Sequence, residues 1–160
     1  MTDHRTPTAV KHSSSKQPTK KSHAEEAFVE LLRTTDLLSR GVARVLKRAL
    51  LSWTQYNVLR ILRGAPEGLP CGEIADCMIT HDPDITRLLD RLERRQLVSR
   101  SRQSTDRRTV ITQITPSGLQ ALARLDLPVQ QAHIRQLGHL GRKRLQILIE
   151  LLRCCRHQMR

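Results

Sequence analysis

Apolar residues recur along this chain at helical spacing, except in one stretch where they alternate. From Ala24 to about Lys47, Phe28, Leu31, Leu32, Leu38, Val42, Val45 and Leu46 share one broad face, which predicts a long helix. Thr54 reads as the N-cap of a helix from Gln55 to about Arg63, stopped at Gly64 and followed by a turn through Ala65-Pro66-Glu67-Gly68. A short helix from Gly72 to Met78 turns Ile74, Ala75 and Met78 inward, and Ile79-Thr80-His81-Asp82 connects it to the next. There Asp82 reads as N-cap, Pro83 fits the first turn, and Ile85, Leu88, Leu89 and Leu92 fall at i, i+3, i+4, i+7. The period then shortens. Leu97 to Arg102 and Thr109 to Thr115 read as two strands joined through the polar, cationic segment Gln103 to Arg108. Thr115 and Pro116 open another helix carrying Leu119, Leu122, Ala123 and Leu125, which Pro128 is expected to bend or break near Asp126-Leu127. Gly138 and Gly141 mark a joint before a last helix, Leu140 to Arg156. Its stripe is Leu145, Leu148, Ile149 and Leu152, widened by Ile147 and Leu151.

These elements predict a mainly α fold with a small antiparallel β-wing, in which residues 51–115 form a winged helix-turn-helix. The first and last helices are too apolar for one small domain to cover both. Residues 23–50 and 116–160 are therefore expected to pack with their symmetry mates as a helical dimerisation region of a homodimer. Residues 1–22 are Ser, Thr, Lys and Pro with almost no apolar side chain, a composition that does not repay ordering, and read as a disordered basic tail. A solvated tail without a role is the simpler reading; added phosphate affinity is the other.

Charge narrows the partner. The formal net charge of +13 favours nucleic acid or an anionic membrane surface. No apolar run reaches transmembrane length and no secretory leader is expected, so the membrane reading weakens and the cytoplasm is the expected location. Phe28, Trp53 and Tyr56 are the whole aromatic inventory, too few to stack the bases of a single strand, so double-stranded DNA is the better fit. The four cysteines lack metal-ligand spacing and read as reduced thiols. Cys77 is expected as small buried filler, although a redox switch at Cys71 and Cys77, which flank the short helix, is conceivable; Cys154 and Cys155 are poorly placed to bridge each other. His81, His133, His139 and His157 show no ligand spacing and read as surface or capping residues, so neither a metal nor a cofactor is expected.

The polar face of the helix after Pro83 presents Asp84, Thr86, Arg87, Asp90, Arg91 and Arg94, and from Asp84 to Arg108 eight arginines stand against four acids. Arginine suits phosphates, guanine edges and a narrow minor groove. A helix entering the major groove N-terminus first would bring Thr86 and Arg87 to base edges, with Thr80, His81, Asp84 and Arg91 beside them. Asp84 must then accept from cytosine N4 or brace an arginine, since phosphates repel it.

The run Ile85-Thr86-Arg87-Leu88-Leu89-Asp90-Arg91-Leu92-Glu93, then Leu97-Val98, Asp106-Arg107-Arg108 and Thr115-Pro116-Ser117-Gly118 resembles the MarR family of winged helix-turn-helix transcriptional regulators, from about Glu30 to the end. The chain departs from the family at Gln96, where a glycine is usual; a left-handed backbone there would cost about 1 kcal/mol relative to Gly. The resemblance implies a homodimer. It also implies that Asp106 orients Arg108 into the minor groove, leaving Arg107 for the backbone, and that an effector cleft lies between the dimer helices and the winged domain. Arg44 or Trp53 would line that cleft, with ordinary core the plainer reading for Trp53.

The leading expectation is a dimeric regulator of transcription, a repressor that binds a pseudo-palindromic operator and responds to a small molecule or another signal. A non-specific architectural DNA-binding protein is the alternative, favoured by charge and disfavoured by a defined reading face. An enzyme ranks third, without a Gly-rich phosphate loop, nucleophile elbow or paired carboxylates. If Asp106 pre-sets the Arg108 fork, Arg108→Ala weakens operator binding more than Arg107→Ala in a titration by fluorescence anisotropy; equal, sequence-independent losses would mean a purely electrostatic hairpin tip.

Overall fold

Ser22 Oγ accepts the Glu25 N–H at 3.1 Å at the start of helix α1, which runs from His23 to Leu46. The computed structural model describes residues 22–80, 82–102 and 109–157. Expectations for the N-terminal tail, for His81 and for Asp106, Arg107 and Arg108 lie outside them. The chain divides into two units, Met1–Thr34 and Thr35–Arg160. The described part of the first is the opening of α1, amphipathic, with Phe28, Leu31 and Leu32 exposed.

In the second unit, α1 ends on buried Val42 and Leu46 and tightens into a 3₁₀ turn at Lys47–Ala49. Helix α2 spans Trp53–Arg63. Its cap is Ser52 rather than Thr54: the Ser52 hydroxyl accepts from the Gln55 N–H while the Gln55 side chain accepts from the Ser52 N–H. A reciprocal box satisfies two orphan donors where Thr54 would satisfy one. Strand β1, Leu69–Pro70, leads directly into α3, Cys71–Cys77. Helix α4 covers Ile85–Arg94, β2 Val98–Arg102, β3 Val110–Ile114, α5 Pro116–Leu137 and α6 Gly141–His157. The sheet is antiparallel in the order β1-β3-β2, with Leu69 opposite Thr112 and Val98 opposite Ile114. The fold is thus mostly helical with a three-stranded wing.

The first of these strands was invisible to periodicity, because two residues cannot display one. It forms because Gly68 turns the chain at φ +80°, where a Cβ would stand 2.6 Å from the Thr112 carbonyl oxygen. Leu59, Leu62, Ile74, Leu89, Leu92, Val98 and Leu122 are fully buried in one core fed by α2, α3, α4, α5 and the sheet. Arg63 binds both carboxylate oxygens of Asp126 at 3.0 and 2.8 Å, tying α2 to α5.

Two further expectations change. Helix α5 is not broken at Pro128, because the missing N–H removes a single helical bond while Leu125, Val129 and Ala132 are buried on either side of it. Cys77 is exposed at the end of α3 and fills no core position.

The exits of α1 and of α4 are both left-handed without glycine. Leu50 has φ 54° and Gln96 φ 56°. At each the paired C-terminal bonds form: Leu51 N–H to Leu46 O and Leu50 N–H to Lys47 O, then Leu97 N–H to Leu92 O and Gln96 N–H to Glu93 O. A side chain in this region costs about 1 kcal/mol. Gln96→Gly is therefore expected to stabilise the fold by up to about 1 kcal/mol, a rise in Tm of ~2–4 °C by differential scanning calorimetry, and Gln96→Val to lower it. A Tm unmoved by both would mean the exit is not strained.

Candidate nucleic-acid interface

Helix α4 is divided lengthwise. Leu88, Leu89 and Leu92 are buried against the core while Thr86, Arg87 and Arg91 are exposed, as the apolar spacing requires. Its start differs from the expected one. Asp84, not Asp82, is the N-cap: Asp84 Oδ1 accepts the Arg87 N–H at 3.1 Å, while Asp82 Oδ1 accepts the Asp84 N–H at 3.0 Å and Pro83 belongs to the turn between them. An Asx turn at Asp82 positions the real cap one step later. Asp84 is therefore placed beside the exposed arginines as part of the helix terminus, and its carboxylate is already engaged there.

The remaining acids of α4 are engaged too. Arg100, on β2, donates to Asp90 Oδ1 at 2.6 Å and to the Thr86 carbonyl oxygen at 3.3 Å, and its Nε lies 3.6 Å from Glu93 Oε2. The Arg100 side chain is only 20% exposed, while its two acids are about half exposed. Sequence reading missed it, although strand alternation held the signal: Arg100 falls two residues after buried Val98 and so faces inward. With Asp90 and Glu93 gathered around Arg100, the Arg87 and Arg91 side chains carry no ion pair among the described residues. The acids of α4 are thereby paired, and Arg87 and Arg91 are left outward.

The turn before α4 is pinned from below. Buried Asn57 on α2 accepts the Ile79 N–H at 2.9 Å, holding the loop that exposes Thr80. The N-termini of α2 and α4 converge on a depression of about 150 Å³ lined by Ser52, Thr54, Asp82, Asp84, Arg87 and Arg91. The structure thus brings Asp84, Arg87 and Arg91 together on this depression, while Thr86 lines a separate one with Cys71, Arg100 and Thr112, and Thr80 is exposed in the loop before α4.

The two residues expected at an effector cleft are separated. Arg44 lines an open cleft of about 630 Å³ between α1 and α5, together with Arg48, Gln131, Arg135 and Gln136. Trp53 is absent from that lining and packs against the core with its ring 6.1 Å from Tyr56. Gln136 donates to the Leu38 carbonyl oxygen at 3.0 Å, leaving its own buried Oε1 without a partner. Among the described residues, no three His, Cys, Asp or Glu side chains are grouped to hold a metal ion, and no helix is long and apolar enough to cross a membrane.

Comparison with known proteins gives one consistent result. The MarR family model matches residues 51–110. A MarR transcription factor from Planctomyces limnophilus is 41% identical, with a TM-score of 0.65 over 84% of this chain and 98% of that one. The transcriptional repressor CouR, solved bound to a 23-mer DNA duplex, is 28% identical, with a TM-score of 0.71 over 84% of this chain and 92% of its own. The regulator PecS of Dickeya dadantii is 30% identical over 97 residues, which are 59% of this chain and 58% of that protein. The chain spans about half the length of the curated regulators it matches first.

Removing the Asp90 carboxylate leaves Arg100 largely buried without its closest acid. Asp90→Ala is expected to lower unfolding stability by about 1–2 kcal/mol in urea titration. A loss below about 0.3 kcal/mol would mean the pair behaves as an ordinary surface bridge.

Proposed function

The chain belongs to the MarR family, a family of DNA-binding transcription regulators and not of enzymes, and on that premise we propose that it is a sequence-specific repressor that binds a pseudo-palindromic operator as a homodimer. The observation that carries the proposal is the outward face of α4, where Thr86, Arg87 and Arg91 are exposed while Asp90 and Glu93 are gathered around Arg100. Residues 51–115 read DNA: the Thr86 hydroxyl and the Arg87 fork suit base edges, and Arg91 suits a phosphate or a second base. Thr80, His81 and Asp84 border that contact. Asp106 holds Arg108 for the minor groove and Arg107 meets the backbone. That CouR was solved on a duplex supports double-stranded DNA as the ligand.

A second copy covers the apolar stripes left open on the terminal helices. Phe28, Leu31 and Leu32 are exposed on α1, Ile147, Ile149 and Leu151 on α6, and no residue of α6 is buried within one chain. Residues 23–50 and 116–160 therefore form the dimer platform, which sets two α4 helices about one DNA turn apart, ~34–36 Å. The cleft beside Arg44, Arg48 and Arg135 has no acid among its lining residues and suits an anionic effector. A ligand there repels nothing and relieves the crowding of three cations. The regulator works in the cytoplasm.

The net charge of +13 favours one other reading, an architectural protein that coats DNA without reading it. Titrating the purified protein against its own upstream DNA and against a scrambled duplex at two salt concentrations separates the two. A regulator keeps a preference of about a thousandfold or more for the upstream DNA as both affinities fall with salt. Equal affinities that collapse together with salt would establish the architectural reading.

A further inference from the structure

Arg95, directly after α4, reaches across to the end of another helix. Its two terminal nitrogens donate to the Leu50 carbonyl oxygen at 2.7 Å and the Ala49 carbonyl oxygen at 3.1 Å. These two carbonyls lie at the left-handed exit of α1, where the helix has already spent its own N–H groups: Leu50 N–H goes to Lys47 O and Leu51 N–H to Leu46 O. The C-terminal end of a helix carries partial negative charge and unpaired acceptors, so a guanidinium is the side chain that satisfies it in both respects. A planar fork on two acceptors also fixes direction, which a single ammonium does not.

Arg95 is itself the residue that closes α4, immediately before left-handed Gln96. One side chain therefore joins the exit of α4 to the exit of α1. Between the two helices, α2 and the core provide apolar contact, to which the Arg95 fork adds a directed polar tie. We propose that Arg95 is a positioning residue for DNA reading: it fixes the roll of α4, and with it the direction of Thr86 and Arg87, relative to the end of α1. The proposal rests on the reading of α4 as the recognition helix. At the other side of α4 the Arg100 clamp fixes the helix against the wing, so the two arginines constrain it from both flanks.

The test uses the full chain with Arg95→Ala, Arg95→Lys and, as a charge-matched control, Arg94→Ala, since among the described residues Arg94 bonds only within its own helix, to the Asp90 carbonyl oxygen. Hydrogen–deuterium exchange of the free protein reads the Leu51 and Leu97 amides. Arg95→Ala is expected to speed exchange at both exits by about tenfold, Arg95→Lys by less, and Arg94→Ala at neither. On DNA, Arg95→Ala is expected to weaken binding to the upstream duplex by about tenfold while scrambled-duplex affinity and its salt slope stay unchanged. Equal losses on both duplexes would make Arg95 a phosphate contact and overturn the proposal. So would unchanged exchange at the two exits. A native protein that does not distinguish the duplexes would instead remove the regulator reading, and the exchange arm would then decide the clamp by itself.

Discussion

The crossing of the chain just after α4 carries the winged domain. Thr115 closes over it: its N–H donates to the Leu97 carbonyl oxygen at 3.1 Å, its hydroxyl donates to the Gln96 carbonyl oxygen at 2.7 Å, and that same hydroxyl caps α5 by accepting the Gly118 N–H at 3.1 Å. The exit of the recognition helix and the entrance of α5 are thus one hydrogen-bonded joint. A Cβ on residue 118 would stand 2.2 Å from the Leu97 carbonyl oxygen, so only glycine lets the two segments meet. The wing hangs between the two halves of this joint. Its strands start at Val98 and finish at Ile114, one residue away on either side, and these two residues are paired in register.

Around that frame the charges are sorted by solvation. A carboxylate facing phosphates would oppose DNA binding, and the fold gives each acid at or within α4 a partner. Asp84 caps the helix, while Asp90 and Glu93 surround a shielded arginine. The pairing contributes less through its Coulomb energy, which an exposed carboxylate surrenders to water, than through direction. Arg87 and Arg91 are left exposed and without an ion pair among the described residues.

The second helix exit, at Leu50, links this domain to the arginine-lined cleft. Arg48 lies on the cleft wall, and the carbonyls of Ala49 and Leu50 immediately after it bind Arg95. From this cleft to the end of α4 the connection is therefore three residues of backbone and one guanidinium long.

Local periodicity decided which segments are helices, where the wing lies, and that Ile85, Leu88, Leu89 and Leu92 face inward while Thr86, Arg87 and Arg91 face out, because these follow from 3.6 and 2.0 residue repeats alone. Family resemblance supplied the Thr115 to Gly118 pattern without its cause. The tertiary structure decided the rest. It moved the α4 cap from Asp82 to Asp84 and the α2 cap from Thr54 to Ser52, choices that depend on which oxygen reaches an orphan N–H. It carried α5 through Pro128, since burial on both sides outweighs one missing bond. It separated Trp53 from Arg44, and it paired Arg100 with Asp90 and Arg95 with Leu50, partners ten and forty-five residues apart. Such pairings are set by how packed elements approach in space, and a linear pattern of residue types contains no distance across the core.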